Sequence, residues 1–106
     1  MGKARIEIFS KTNKHSNYPG LPSTPLQVEE ETTSTSATTA GSRKVVAAAG
    51  NYNQLFARVT HDEACYVAVG ADPTASDTAL GYLLSANVPL EMPVKAGDKF
   101  SFKEVA

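Results

Sequence analysis

A chain of 106 residues with 42% hydrophobic and 20% charged side chains has the size of one domain and the composition of a globular one. A single cysteine, Cys65, excludes a disulfide scaffold, and no apolar run reaches the ~18 residues of a membrane span. The opening MGKARIEIF lacks the apolar stretch of a secretory signal, so assembly in a cytoplasm is expected, with no membrane partner. A net charge of −1 argues against a dedicated nucleic-acid binder. That charge is uneven: residues 1–25 carry four basic side chains and one acid, a net of +3, and residues 26–106 carry a net of −4. A basic leader on an acidic body suits an arm that reaches onto an acidic partner surface.

In chain order, KARIEIFS alternates, with Ile6 and Ile8 on one face and Arg5 and Glu7 on the other, the period of a half-buried strand. The stretch KTNKHSNYPGLPSTP holds Pro19, Gly20, Pro22 and Pro25 among small polar residues. Proline fixes φ and donates nothing to a ladder, so this reads as an extended, Pro-rich connector or arm. Residues 1–25 therefore form a leader and residues 26–106 a body. From Leu26 the chain alternates again, Leu26 and Val28 against Gln27 and Glu29. The run TTSTSATTA, residues 32–40, suits a flexible linker or an exposed edge strand, with the strand favoured because Thr fits the pleat and no proline or glycine interrupts it before Gly41.

The second half is more regular. KVVAAA, QLFARVT, ACYVAV, GYLL, PLEMPV and KFSFKEV are short and apolar or alternating, with GNYN, HDE, GADPTASD, SAN and KAGD between them. Short strands at steady spacing, punctuated by Gly, Asn, Asp and Pro, predict an all-β sandwich or jelly roll of about seven to nine strands. KVVAAAG could also form a short helix. Pro93 inside its strand predicts an edge position, where a missing N–H costs nothing.

A nucleophilic enzyme needs Cys65 or a serine beside a histidine and an orienting acid. Cys65 alternates with Val67 and Val69 on an apolar strand face, which makes it a small buried hydrophobe. His61, Asp62, Glu63, Asp72 and Asp77 lie in two neighbouring turns but lack both D-x-D-x-D-G and H-x-x-x-H spacing, and read as solvated turn residues. His15 reads as a solvated residue of the connector. No phosphate-cradling loop follows Gly70. Phe56, Phe100 and Phe102 read as core, leaving Tyr18, Tyr52 and Tyr82 as freer aromatics, and without tryptophan a sugar-stacking platform loses its most useful residue. The expectation is a protein that is not an enzyme, with no catalytic set, metal or cofactor.

The stretch from Leu55 to Phe102, including ARVTHDEACYVAVGADPTASDTALGYLLSANVPLEMPVKAGDKFSF, resembles small β-sandwich structural proteins of tailed bacteriophages, the decoration and head-associated class. The shared pattern is a strand ending in a polar turn, then ACYVAVG, ADPTA, GYLL-SANVP and the closing PVKAGDKF. Ser85 departs from it where the pattern has proline, and residues 1–54 lie outside the resemblance. The resemblance implies a virion protein that decorates or cements the capsid, assembled in the host cytoplasm and often trimeric at a symmetry axis. Its partners would be the major capsid protein and its own copies. Neck proteins, and receptor- or carbohydrate-binding modules of a fibre or tail, are the alternatives. For an interface, Arg5, Lys11, Lys14, Tyr18 and Leu21 of the leader are the candidates.

Overall fold

The computed structural model describes residues 2–10, 25–47, 55–75 and 82–105. The expected arm, with Lys11, Lys14, Tyr18 and Leu21, lies outside the described residues, as do His15, Tyr52 and Asp77. Among the described residues there are eight strands: β1 Lys3–Ser10, β2 Gln27–Thr32, β3 Lys44–Val45, β4 Leu55–His61, β5 Cys65–Gly70, β6 Tyr82–Leu84, β7 Leu90–Val94 and β8 Lys99–Glu104. They pair antiparallel into two four-stranded sheets, ordered β2-β1-β4-β7 and β3-β8-β5-β6. The chain is an all-β sandwich.

Period-two alternation sets what lies between the sheets. From the first sheet come Ala4, Ile6 and Ile8 of β1, Leu55, Ala57 and Val59 of β4, and Met92 and Val94 of β7. The second sheet contributes Cys65, Val67, Leu84, Phe100 and Phe102. The register keeps these on one face: Ile6 sits opposite Val59, Ala57 opposite Met92, and Val67 opposite Phe102. A one-residue slip would turn each set to solvent, and burying one such side chain is worth about 1.5–3 kcal/mol, so the alternation itself fixes the register. The rings of Phe100 and Phe102 stack 6.4 Å apart.

Both exposed surfaces of the sandwich carry extra packing. On the first sheet, Phe9 stacks on Phe56 at 5.2 Å, with the Arg58 guanidinium 5.2 Å above the Phe9 ring and 3.0 Å from Glu91. Phe56 is thus partly buried on the outer surface and is not part of the core between the sheets, because it follows Leu55 in the alternation. On the second sheet, Ala68 and Ser101 face outward yet are buried. The segment after β5 crosses above them, where the Ala75 amide donates to Ser101 Oγ at 3.0 Å. Arg43 pins that segment through Asp72 at 2.6 Å and Thr74 at 3.5 Å. Pro93 lies on β7, an edge strand, as its missing N–H requires. Gly97, at φ 92°, makes the KAGD turn, in which Asp98 Oδ2 accepts the Lys95 amide at 3.0 Å.

Three expectations are corrected. In β2 the faces are reversed: Leu26 and Val28 are 43% and 42% exposed, while Gln27, Glu29 and Glu31 turn inward. The inward side of this edge strand lies against the rim of the second sheet, which offers polar partners. Gln27 accepts from the Ala47 amide at 3.0 Å and donates to the Val45 carbonyl at 2.9 Å. The Thr/Ser run is not a strand. Beyond Thr32 it crosses from one sheet to the other, because its hydroxyls satisfy backbone groups that a ladder would otherwise use. Ser34 Oγ accepts the Ser36 amide at 3.1 Å and Thr38 Oγ1 accepts the Phe102 amide at 3.0 Å. It ends in a short 3-10 turn at Ala40–Ser42. Finally, in the described part of KVVAAA, Lys44–Val45 forms β3, and Val46 N and O then bond to the KAGD turn, at 2.7 Å to Asp98 O and 2.9 Å from Gly97 N, where the alternative was a short helix; Ala48 and Ala49 lie outside the described residues.

Candidate functional site

The crossing segment builds a buried polar cluster. At its start, Thr33 is 3% exposed and stands between the two sheets. Its Oγ1 lies 2.6 Å from Nε2 of His61, at the end of β4, and 2.6 Å from Oε2 of Glu104, at the end of β8. The Gly2 amide also donates to Glu104 Oε2, at 2.6 Å. His61 Nδ1 accepts the Glu63 amide at 2.8 Å, which leaves the ring proton on Nε2. The relay therefore has one direction: Glu63 N–H to His61, His61 Nε2–H to Thr33, Thr33 O–H to the Glu104 carboxylate. The Thr33 hydroxyl and the Gly2 amide hold the Glu104 carboxyl below its ordinary value, against the opposing effect of burial.

Thr33, His61 and Asp62, whose Oδ1 is 3.5 Å from Nδ1, have the outline of a nucleophile, base and acid. The proton sits on the wrong nitrogen for that role. A general base must accept from the hydroxyl, and here the imidazole donates to it. The relay is a structural clamp that ties the starts of β1 and of the crossing segment to the ends of β4 and β8.

Sequence reasoning took His61 for a solvated turn residue, but it is 1% exposed. The signal that could have found it is the strand period itself. Leu55, Ala57, Val59 and His61 share one face of β4, and HDE masks the last of these as a turn. Gly2 is equally constrained. A Cβ there would meet Asp62 Oδ1, His61 Cε1 and Glu63 Oε2.

Beside this clamp, the inward-facing Glu31 of β2 and the crossing segment line an open groove of about 510 Å³, with Thr33, Ser36, Thr38 and Lys44 along it. The Glu31 side chain is 10% exposed, and Lys44 Nζ approaches it to 3.9 Å. Burial pushes the Glu31 carboxyl up, with the Lys44 charge opposing. Of the sequence-predicted interface residues, Arg5 is described. It is half-exposed on the outer surface of the first sheet, 3.4 Å from Glu7 and opposite Glu30 in the register. Cys65 is fully buried, and its thiol is pushed up to about 12, first by burial and then by the Glu104 and Asp62 charges. Among the described residues, no three His, Cys, Asp or Glu side chains gather as a metal site. No helix among them is long and apolar enough to cross a membrane. Comparison with protein-family models, with curated proteins and with solved structures finds no match to this chain.

Proposed function

We propose that this chain is a structural protein of a tailed-phage virion, a decoration protein that cements the assembled head. The supporting observation is the Leu55–Phe102 segment. Its resemblance to the decoration and head-associated class spans five consecutive strands, β4 to β8, and includes the KAGD turn with its left-handed Gly97. A clamped sandwich with a basic leader suits a protein whose work is to bind a surface. The mechanism is mass action: a subunit that binds the closed shell, and not the separated capsid proteins, favours the closed shell. Its partners on this reading are the major capsid protein and its own copies, on the capsid surface, after assembly in the host cytoplasm.

Purified protein added to heads made without it should sediment with them and raise the temperature at which they open. Failure to bind such heads, in the presence of a folded protein, overturns the reading. Light scattering should give about 34 kDa, three times the 11.2 kDa chain, if the protein caps a threefold axis. The second reading, a receptor- or carbohydrate-binding module of a fibre or tail, draws on Tyr82, which is 60% exposed beside Leu83 on the β6 edge. Glycan binding that is lost in Tyr82→Ala would favour it over the first.

A further inference from the structure

We propose that β6 is the edge through which two copies of this chain join, pairing antiparallel about a two-fold axis so that the second sheet runs on from one copy into the other. The pairing rests on the sheet edges and does not depend on the virion reading. Among the described residues the sandwich has four edges, β2, β7, β3 and β6. An edge strand offers unpaired backbone groups to any other chain, and three of these four are blunted. β7 carries Pro93, and Pro89 directly precedes it. Proline sits where an N–H would point away from the sheet, and that direction repeats every second residue. Of the outward positions 89, 91 and 93, Glu91 alone therefore has a donor. β2 carries three successive acids, Glu29, Glu30 and Glu31. β3 is two residues long, and Gln27 closes its free side: the side-chain amide donates to the Val45 carbonyl and accepts from the Ala47 amide, as a neighbouring strand would.

β6 has none of these devices. Its residues Tyr82–Leu84 include neither proline nor charge, and no charged side chain occurs from Tyr82 to Leu90. Tyr82, Leu83 and Val88 are each more than half exposed. Charge selects the occupant. A two-fold axis sets each residue against its own copy, so a charged edge repels itself and an uncharged one does not. With the axis at Leu83, the middle of the strand, Leu83 faces its twin and Tyr82 faces the partner's Leu84. On the outer surface Leu83 lies beside Tyr66, and Lys103 lies beyond Tyr66. Five strand spacings, about 24 Å, then separate the two copies of Lys103, well past the ~8–10 Å over which salt leaves charges coupled. The joint is small beside the ~800 Å² per partner of a standard interface, so the pair is weak and its population rises with concentration.

Sedimentation equilibrium of the full-length protein from about 10 μM to about 1 mM should show monomer and dimer in exchange, the dimer at about 22 kDa, twice the 11.2 kDa chain. Leu83→Lys and Leu83→Glu should each weaken the dimer about tenfold, and an equal mixture of the two should restore it, because opposite charges then stand face to face. Leu83 is exposed, so both variants are expected to keep the fold, which circular dichroism checks. Leu83→Cys gives an independent arm. Facing residues of antiparallel strands lie about 4.5–5.5 Å apart, within reach of a disulfide. Oxidation with copper phenanthroline should join two copies of Leu83→Cys, while Glu91→Cys on the β7 edge should stay single. Cys65 is buried and takes no part. A protein monomeric across the range, an oligomer indifferent to both charges at Leu83, or Glu91→Cys joining as readily as Leu83→Cys refutes the pairing. Each of these results leaves the binding of heads untouched, so the two readings fail separately.

Discussion

Thr33→Val tests the buried relay most directly, because it keeps the shape of the side chain and removes its hydroxyl. Two bonds of 2.6 Å are lost, one to the Glu104 carboxylate and one from His61 Nε2. The charge-assisted bond is worth roughly 1.5–3 kcal/mol, and a buried imidazole N–H left without a partner costs roughly 1–3 kcal/mol. The added methyl returns at most about 0.8 kcal/mol. The net loss is about 2–5 kcal/mol, or about 10–25 °C in melting temperature for a chain of this length.

The pH dependence carries the sharper test. Glu104 has a folded pKa below its ordinary 4.5, so its stabilisation is complete above that value and fades as pH falls through the folded pKa. Thr33 is the first cause of that depression. The penalty of Thr33→Val should therefore be largest at pH 7 and shrink as pH falls below the ordinary 4.5 through the folded value, and in a Glu104→Gln background that pH dependence should vanish. Urea unfolding of the four proteins at both pH values gives the cycle. A penalty below about 0.5 kcal/mol, or one that does not change with pH, would refute the relay as drawn.

Gly2→Ala should destabilise by about 1–3 kcal/mol in thermal unfolding, since its methyl meets the Asp62 and Glu63 carboxylates and the His61 ring. Cys65 should not react with Ellman's reagent at pH 8 until denaturant is added. A thiol pushed up to about 12 carries roughly one thiolate in ten thousand there, and the side chain is buried. Arg43→Met should release the segment above β5 and β8, seen as faster exchange of the Ala75 amide, while global stability falls by about 1 kcal/mol or less, because Asp72 is 89% exposed.

The strands of the body were legible because hydrophobic period and turn chemistry agree there. ACYVAV and KFSFKEV predict β5 and β8 to within a residue or two, and Cys65 is the core residue its alternation implies. β2 was misread in its faces because the alternation of Leu26 and Val28 is locally indistinguishable from that of an inward-facing strand. The deciding partners, Lys44 and the β3 backbone, come from the other sheet. The polar clamp was hidden for a related reason. Its members Gly2, Thr33, His61 and Glu104 are scattered along the chain and meet only when both sheets have formed. Thr33 sat inside a run whose composition suits a strand, and nothing local distinguishes it from Thr32 or Ser34. The leader residues Lys11, Lys14, Tyr18 and Leu21 were singled out by composition and charge alone, and their part is left to experiment.

The bond from Gly2 to Glu104 joins residues 102 positions apart and has a consequence for the order of assembly in time. β1 finds β4 only after more than fifty residues have been made, and the clamp at its first turn awaits the last strand. A ribosome that has not released Glu104 therefore holds a chain whose sandwich cannot seal. Loop-closure entropy must be met before these distant contacts return anything, which is the topology of a slow folder. Truncation within β8 should abolish folding outright. A half-made chain exposing Ile6, Ile8 and Val59 is the species from which aggregates would grow.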